Sequence, residues 1–259
     1  MYKHGNIEVE FLGTGTSQGV PVVACNCPVC GSKNIKDKRL RSSVFLKVND
    51  VHIMIDAGPD FRQQMLRSSI KRLDAILITH EHADHIFGLD DIRAFNWVHS
   101  KPMDIYAEDR VQKSIKRIFD YVFAKSRYPG IPQMNLHIID NKIFNIGGVS
   151  ILPIRGFHHR LPVLGFRIGT FAYLTDMKTI EEDERNKLKG LDILVVNALR
   201  KEEHISHFNV AGALELIEQV KPKRSYLTHV SHQMGFYDDI IQLLPENVFL
   251  AFDGLKLSI

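Results

Sequence analysis

The sequence is short of the features that mark secreted, membrane-spanning and disulfide-stabilised proteins. Only three cysteines occur in 259 residues, and all of them lie between Cys25 and Cys30. An odd number of cysteines in one cluster is typical of metal ligation in a reducing compartment rather than of a disulfide scaffold. The segment from Met1 to Asn6 lacks the apolar core of a signal peptide, and no apolar run approaches the ~18–20 residues that cross a membrane. We therefore expect a cytoplasmic protein without a membrane anchor.

An excess of charge of one sign is also missing. The 33 basic and 30 acidic residues leave a net charge of +3, and the basic residues are dispersed apart from short clusters at 36–41 and 221–224. No surface dedicated to nucleic acid is predicted from this distribution. The glycine-rich loop at 13–19 lacks the Gly-Lys-Ser/Thr of a phosphate-binding P-loop, so we interpret it as tight turns at the rim of a site. The 44% hydrophobic content is sufficient for one full core, and we expect a single α/β domain over residues 1–259.

The stretch AILITHEHADH, from Ala75 to His85, carries the strongest chemical signal. Its first half is an apolar, β-branched run that is typical of a buried strand. Four potential metal ligands follow within six residues: His80, His82, Asp84 and His85. Imidazole and carboxylate groups suit zinc, manganese or iron, and this spacing lets the first two ligands face one ion and the last two a second. The pattern predicts a dinuclear hydrolytic centre, in which two ions about 3.5–4 Å apart hold the attacking and leaving oxygens of a substrate; a solvated, inert loop is the alternative.

The sequence CNCPVC predicts a second, structural metal site. Cys25, Cys27 and Cys30 supply three corners of a tetrahedral zinc site, which needs a fourth ligand. Far along the chain, His229 and His232 follow a buried strand. His229 would complete the shell of the second catalytic ion and His232 would complete the cysteine site, so this pair supplies the ligand that each site lacks. Three reduced surface thiols are the alternative.

Three further positions are candidates for the catalytic centre. Asp176 follows a predicted strand, and a carboxylate that arrives there can bridge both ions. Either His158 or His159, at the end of another strand, should be the next ligand. His207 lies ahead of a predicted helix and could donate a proton to a leaving oxygen, or could be a surface histidine of a loop.

The remaining pattern alternates predicted strands and helices. A helix is predicted over Pro59–Ile70, where a proline lies near the start and apolar residues share one face. Val248–Ile259 is interpreted as a closing β-hairpin, and Trp97 as a core residue rather than a platform for substrate stacking.

The segment His80-Glu81-His82-Ala83-Asp84-His85 resembles the signature of the metallo-β-lactamase-fold hydrolases. Together with the CNCPVC knuckle, the Thr-His-Val-Ser-His-Gln segment at 228–233 and the Phe-Asp-Gly segment at 252–254, it makes nearly the whole chain similar to the phosphoribosyl 1,2-cyclic phosphate phosphodiesterase branch of that family. The resemblance implies a four-layer αββα sandwich with the metal centre at one edge between the sheets, and a homodimer. His82 stands where oxygen-reducing diiron relatives carry glutamate, which disfavours a redox role.

The resemblance also implies roles for individual residues. It favours His158 over His159 as a ligand and His207 as the proton donor, and it places Asp56, in Ile-Asp-Ala-Gly, behind the ligating histidines. One ion would be held by His80, His82, His158 and Asp176, and the other by Asp84, His85, Asp176 and His229.

The expected function is hydrolysis of a small cyclic or nucleotide-like phosphodiester by a hydroxide that bridges two divalent ions. The expected cofactors are two ions of zinc, manganese or iron, with Asp84 and His207 as catalytic residues, and one structural zinc. Relatives that process the 3′ end of transfer RNA share the ligand set, but they carry a Gly/Pro-rich basic arm that is not evident here, so nucleic acid is not favoured as a partner. A thioester or lactam hydrolase and a non-catalytic, metal-stabilised binding module are further alternatives.

Overall fold

The structure is a computed structural model that describes residues 6–125 and 129–259. The described residues form two sheets of seven strands each. The strands of the first sheet are β1 (Ile7–Gly13), β2 (Ser43–Val48), β3 (Val51–Ile55), β4 (Ala75–Leu77), β5 (Met103–Ala107), β6 (Met134–Ile138) and β14 (Lys256–Ser258). Those of the second are β7 (Phe144–Ile146), β8 (Val149–His158), β9 (Leu161–Ile168), β10 (Phe171–Leu174), β11 (Ile193–Asn197), β12 (Arg224–Thr228) and β13 (Val248–Leu250). Their spatial orders are β14-β1-β2-β3-β4-β5-β6 and β13-β12-β11-β10-β9-β8-β7.

Nine helices occur in the described residues, and several of them pack on the outer faces of the two sheets. They are α1 (Pro28–Gly31), α2 (Phe61–Ser68), α3 (Ala83–Ile86), α4 (Arg93–His99), α5 (Asp109–Ile118), α6 (Asp120–Phe123), α7 (Glu182–Asn186), α8 (Val210–Val220) and α9 (Tyr237–Ile240). Short 3₁₀ turns occur at Ile35–Asp37, Phe87–Ile92 and His232–Met234. In the described residues, no helix has the length and apolar character that crossing a bilayer would require.

Three apolar clusters divide the interior into layers. One lies between the sheets and contains side chains of both, such as Phe11 and Tyr173. A second packs α2 and α5 on the first sheet through Phe61 and Val111, and a third packs α8 on the second sheet through residues such as Leu216. Because each sheet is apolar on both faces, it must be covered on both sides. The predicted four-layer αββα sandwich of the α/β class is confirmed.

The strand directions bring several segments to one edge of the sandwich. β3, β4, β5 and β6 are parallel in the first sheet, and β10, β11, β12 and β13 are parallel in the second. The carboxyl ends of parallel strands meet at a common edge, where open α/β sheets carry their ligands. Asp56, His80, Asp176 and His229 all follow strands that end at such an edge.

Three local predictions differ from the structure. The predicted helix at 59–70 is shorter, because Ser69 adopts a left-handed conformation with φ 58° and ends α2 at Ser68. The predicted closing hairpin is wrong: β13 pairs with β12 of the second sheet, whereas β14 pairs with β1 of the first. Trp97 is not a core residue, since 69% of its surface is exposed on α4.

Candidate dinuclear metal site

The loop that carries the HxHxDH motif is clamped against the turn after β3. The Ala57 amide donates to the His85 carbonyl at 2.8 Å. Gly58 lies so close to α3 that a Cβ there would be 1.9 Å from the Asp84 carbonyl oxygen. A side chain at this position would therefore displace α3, which explains the glycine of the Ile-Asp-Ala-Gly segment.

Asp56 joins this turn to the metal loop through hydrogen bonds. Its carboxylate is fully buried and accepts from the Thr79 amide at 2.9 Å, from the Thr79 hydroxyl at 2.9 Å and from His85 Nδ1 at 2.7 Å. A carboxylate behind a ligating histidine fixes the ring and its tautomer. Asp56 thus lies behind His85, whose Nε2 points toward the candidate centre.

The predicted donors of the second ion form one compact group. The donor atoms of Asp84, His85, Asp176 and His229 all lie within 4.8 Å of one another, and the four residues are buried. His85 Nε2 is 3.1 Å from Asp84 Oδ2 and 3.2 Å from Asp176 Oδ2. His229 Nδ1 is 3.1 Å from the same Asp176 oxygen. Four residues from three separate segments of the chain thus face a single point.

A second group shares Asp176 and differs from the predicted set. The donor atoms of His158, Asp176 and His207 lie within 4.8 Å of one another. His80 and His82 adjoin this group through their rings, whose centroids lie 5.9 and 5.2 Å from that of His158. His207, which the resemblance favours as the proton donor, therefore lies among the donors, and the adjacent Ser206 carbonyl contacts His158 at the end of β8.

The turn between β8 and β9 directs His158 and His159 to different environments. His159 lies in that turn with φ 56° and is exposed. His158 is the last residue of β8, and its Nδ1 donates to the Ser206 carbonyl at 2.8 Å. That hydrogen bond leaves Nε2 of His158 free to act as a ligand.

Several buried nitrogens of this region fit a metal centre. Within the described residues, His80 Nε2 and His207 Nδ1 are buried without a hydrogen-bond partner. A buried polar atom that lacks a partner costs about 1–3 kcal/mol, so two of them in one region indicate a ligand that satisfies them. Imidazole nitrogens combined with carboxylate oxygens form a donor set suited to divalent zinc, manganese or iron.

Burial keeps most of the histidines in the neutral form that binds metals. It lowers the pKa of His82 and of His229, and it lowers the pKa of His80 well below its ordinary value. Burial and the neighbouring His229 lower the pKa of His207 to about 3. The exception is His85: although burial opposes protonation, the carboxylates of Asp84, Asp56 and Asp176 raise its pKa well above the ordinary value.

The two aspartates remain ionised despite their burial. Burial alone would raise the pKa of Asp176, but His229 and His85 lower it well below the ordinary value. Asp84 behaves in the same way, since His85 outweighs burial and lowers its pKa. Both carboxylates are therefore ready to bind a cation at neutral pH.

Three residues of the site have a positive φ, a left-handed backbone conformation that residues other than glycine rarely adopt. Asp56 and His229 directly follow β3 and β12 with φ values of 62° and 57°, and Asp176, the second residue after β10, has a φ of 58°. A left-handed residue other than glycine is uncommon, and such residues cluster at functional sites where the surrounding structure holds them. After these turns, Asp56 and Asp176 both contact His85, and His229 contacts Asp176.

The cysteine knuckle and His232 form a separate donor group. The Sγ atoms of Cys25, Cys27 and Cys30 lie 3.4, 3.3 and 3.4 Å from His232 Nδ1. Tetrahedral zinc with ordinary Zn–S and Zn–N bonds has edges of roughly 3.5 Å. The Cys30 amide and His232 lower the pKa of Cys27 to about 6, whereas burial raises the pKa of Cys30 to about 11.

Three further residues contact the candidate ligands. The Thr79 hydroxyl lies 3.0 Å from His80 Nδ1 as well as contacting Asp56. Ser206 orients His158 through its main-chain carbonyl, which no side-chain pattern could reveal. Thr16 Oγ1 lies 3.3 Å from His229 Nε2, so the glycine-rich loop does lie at the rim of the site, as predicted.

Comparison with known proteins identifies the family. The model of the Beta-lactamase superfamily domain matches residues 52–230. A crystal structure described as a new diphosphatase from the PhnP family is 36% identical, has a TM-score of 0.92 and is matched over 98% of both chains. The short form of human tRNase Z is 24% identical with a TM-score of 0.71, over 97% of this chain and 99% of that one, which shows a shared fold.

A relative with a different name matches over part of its length. An octanoyltransferase of Porphyromonas gingivalis is 42% identical over 250 residues, which is 95% of this chain. The chain spans only half of that protein. The family match and the full-length likeness to the diphosphatase agree with the geometry of the site. The chain therefore belongs to the β-lactamase superfamily and is a metallo-β-lactamase-fold hydrolase of the PhnP-like branch.

Proposed function

We propose that the protein is a dinuclear-metal-dependent hydrolase of small phosphodiesters. The observation that carries the proposal is the position of Asp176, which belongs to both donor groups. A carboxylate shared by two groups of mostly buried donors is the arrangement expected of a bridging ligand between two cations. When bound, two ions would supply Lewis-acid stabilisation and a water of lowered pKa for attack at phosphorus.

The location of each candidate ligand determines which of the two ions it would hold. Asp84, His85 and His229 would hold one ion, and His80, His82 and His158 the other. Asp56 would keep His85 in the orientation that points Nε2 inward. Asp84 would in addition keep its carboxylate charge close to the reacting centre, since its pKa is lowered.

His207 would serve the leaving group. It is 8% exposed, and its Nδ1 lies 3.8 Å from Asp176 Oδ1, so it lines the space between the donors and the loop above them. With a pKa of about 3 it is neutral in the free site. An anionic phosphoryl group placed beside it would raise that pKa and favour the protonated form, which donates to a departing oxygen.

An unpaired guanidinium near this loop supports an anionic substrate. Arg200 follows β11 on the segment that leads to His207, and its contacts are the Gln233 side chain at 2.7 Å and the Glu203 carbonyl at 2.9 Å. Among the described residues, no carboxylate forms an ion pair with Arg200. A guanidinium without a carboxylate partner attracts phosphate groups.

The comparisons support phosphorus over carbon as the attacked atom. The relative matched over its full length is named a diphosphatase. The name octanoyltransferase belongs to a protein of which this chain spans half, so acyl transfer is a weaker inference for this chain. We propose a small molecule as substrate, zinc, manganese or iron as the catalytic ions and zinc in the cysteine site.

A substrate panel tests this function. The metal-loaded protein would be assayed with bis(p-nitrophenyl) phosphate, a five-membered cyclic phosphodiester of a pentose, a dinucleoside diphosphate, an octanoyl thioester and a transfer-RNA precursor. We expect turnover of the phosphodiesters, which Asp84→Ala and His82→Ala abolish while circular dichroism stays unchanged. Thioester turnover without phosphodiester turnover would assign carbon chemistry, and bound metals without any turnover would indicate a binding module.

A matched pair of histidines sharpens the result. His158→Gln removes a half-buried donor, whereas His159→Asn changes the exposed neighbour and keeps a residue that tolerates a positive φ. We expect loss of activity in the first variant alone. Equal activity in both variants would contradict the proposed ligand set.

A further inference from the structure

An arginine outside the donor groups contacts the metal motif directly. Arg110 lies in the first turn of α5, and its Nη1 forms an ion pair with Oε2 of Glu81. Glu81 is the residue between His80 and His82 in the motif. The two side chains are partly buried, with 34% and 20% of their surfaces exposed, so solvent screens this pair less than a surface ion pair.

The same guanidinium also reaches the second sheet. Arg110 Nη2 donates to the Pro162 carbonyl at 2.7 Å. Pro162 lies in β9, opposite Phe157 of β8, and is therefore next to the turn that begins after His158. One planar side chain thus joins the loop of the first sheet to the hairpin of the second.

A second arginine reinforces this connection. Arg155 of β8 makes a bidentate ion pair with Glu108, which directly precedes α5, and one of its two bonds is 2.9 Å long. Glu108 Oε2 is 3.8 Å from Arg110 Nη2. The charged chain therefore runs from Glu81 through Arg110 and Glu108 to Arg155, with alternating signs.

This connection spans the gap across which three candidate ligands must meet. His80 and His82 come from the first sheet, whereas His158 comes from the second, and the ring centroids of His82 and His158 are 5.2 Å apart. A main-chain hydrogen bond from Leu164 to the Thr79 carbonyl, at 3.1 Å, also crosses between the sheets, but it fixes the start of the loop rather than Glu81. Arg110, by contrast, contacts Glu81, which is the residue between the two histidines of the motif.

We propose that Arg110 is a positioning residue that sets the spacing of His80 and His82 from His158, and through it the affinity for the ion that these three histidines hold. This inference rests on the proposed dinuclear site. The planar fork of arginine reaches two acceptors in fixed directions, which the single ammonium of lysine cannot reproduce.

Metal affinity of the chelator-treated protein is the direct test. Titration calorimetry with Mn²⁺ and with Zn²⁺ would compare the wild type with Arg110→Met, Arg110→Lys, Glu81→Gln and the Arg110→Met/Glu81→Gln double variant. We expect each single variant to bind one of the two catalytic ions at least tenfold more weakly and the other within twofold of wild type. The double variant should be no weaker than Arg110→Met, because both changes remove the same contact.

Arg72→Met is the matched control. Arg72 also contacts two carboxylates, those of Asp50 and Asp74, at 3.1 and 3.0 Å, and 42% of its side chain is exposed. It lies before the amino end of β4, whereas the metal motif follows the carboxyl end. We expect wild-type affinity for both ions in this variant.

Several results would overturn the inference. One is wild-type affinity for both ions in Arg110→Met. Another is an equal loss of affinity for both ions, or a loss of thermal stability large enough to explain the loss of affinity, since either result indicates a general structural role. Glu81→Gln keeps the size of the side chain and serves as the check if the arginine variants fold poorly. A wild type that binds fewer than two catalytic ions would instead contradict the proposed function, and this inference with it.

Discussion

Asp56→Asn is expected to weaken metal binding by about 10–100-fold while the fold is retained. Asparagine has the shape of aspartate and can still accept from the Thr79 amide, which now donates to Asp56 Oδ1 at 2.9 Å. What it cannot provide is a charged acceptor for His85 Nδ1, which lies 2.7 Å from Asp56 Oδ2. The variant therefore removes the charge behind one candidate ligand, and of the other contacts it alters the one from the Thr79 hydroxyl to Asp56 Oδ2 at 2.9 Å.

The size of the effect follows from that one contact. A hydrogen bond to a charged group contributes roughly 1.5–3 kcal/mol. Loss of an outer-shell carboxylate typically reduces metal affinity 10–100-fold, which is about 1.4–2.8 kcal/mol. The two values agree, so the whole effect can come from the orientation and basicity of His85.

Two measurements would report the loss. Competition with a chelator gives the affinity directly, and thermal unfolding at a fixed excess of metal should show about 1.4–2.8 kcal/mol less metal-linked stabilisation. Asp104→Asn is the matched control, because Asp104 contacts His137 Nε2 at 2.9 Å on β5 and belongs to neither donor group. Unchanged affinity in Asp56→Asn, or an equal loss in Asp104→Asn, would refute this reasoning.

Two further predictions concern the cysteine site and the protonation of His85. Cys27→Ser should lose one zinc, keep the two catalytic ions and unfold at a lower temperature, as measured by elemental analysis and calorimetry; retention of all the metal would contradict a structural zinc. Metal binding at pH 7 should release a proton, because carboxylates raise the pKa of His85 well above its ordinary value against the effect of burial. Protonation of His85 stabilises the metal-free fold, fully at pH values below the ordinary pKa of histidine, and this stabilisation is lost as the pH rises through the raised pKa. Because a metal ion binds only the neutral ring and competes with the proton, metal affinity should fall as the pH is lowered. Binding heats that do not change with the ionisation enthalpy of the buffer would contradict this.

The sequence alone determined the features that depend on neighbouring residues. Four ligands in six residues follow from the local order His80, His82, Asp84 and His85, and their strand is visible in the apolar run before them. The same holds for the three thiols of the knuckle, which one turn brings together around His232. The division into buried strands and amphipathic helices was likewise sufficient, with the resemblance, to predict the layered fold.

Only the tertiary structure decided which side chains meet across the two sheets. His158 rather than His159 faces the donors because the turn after β8 rotates the second residue outward. Likewise, the strands at 248–250 and 256–258 lie in different sheets although a hairpin suits their sequence. These outcomes, and the contacts of Arg110, depend on how the two sheets pack against each other, since residues far apart in the chain become neighbours only when the sandwich closes.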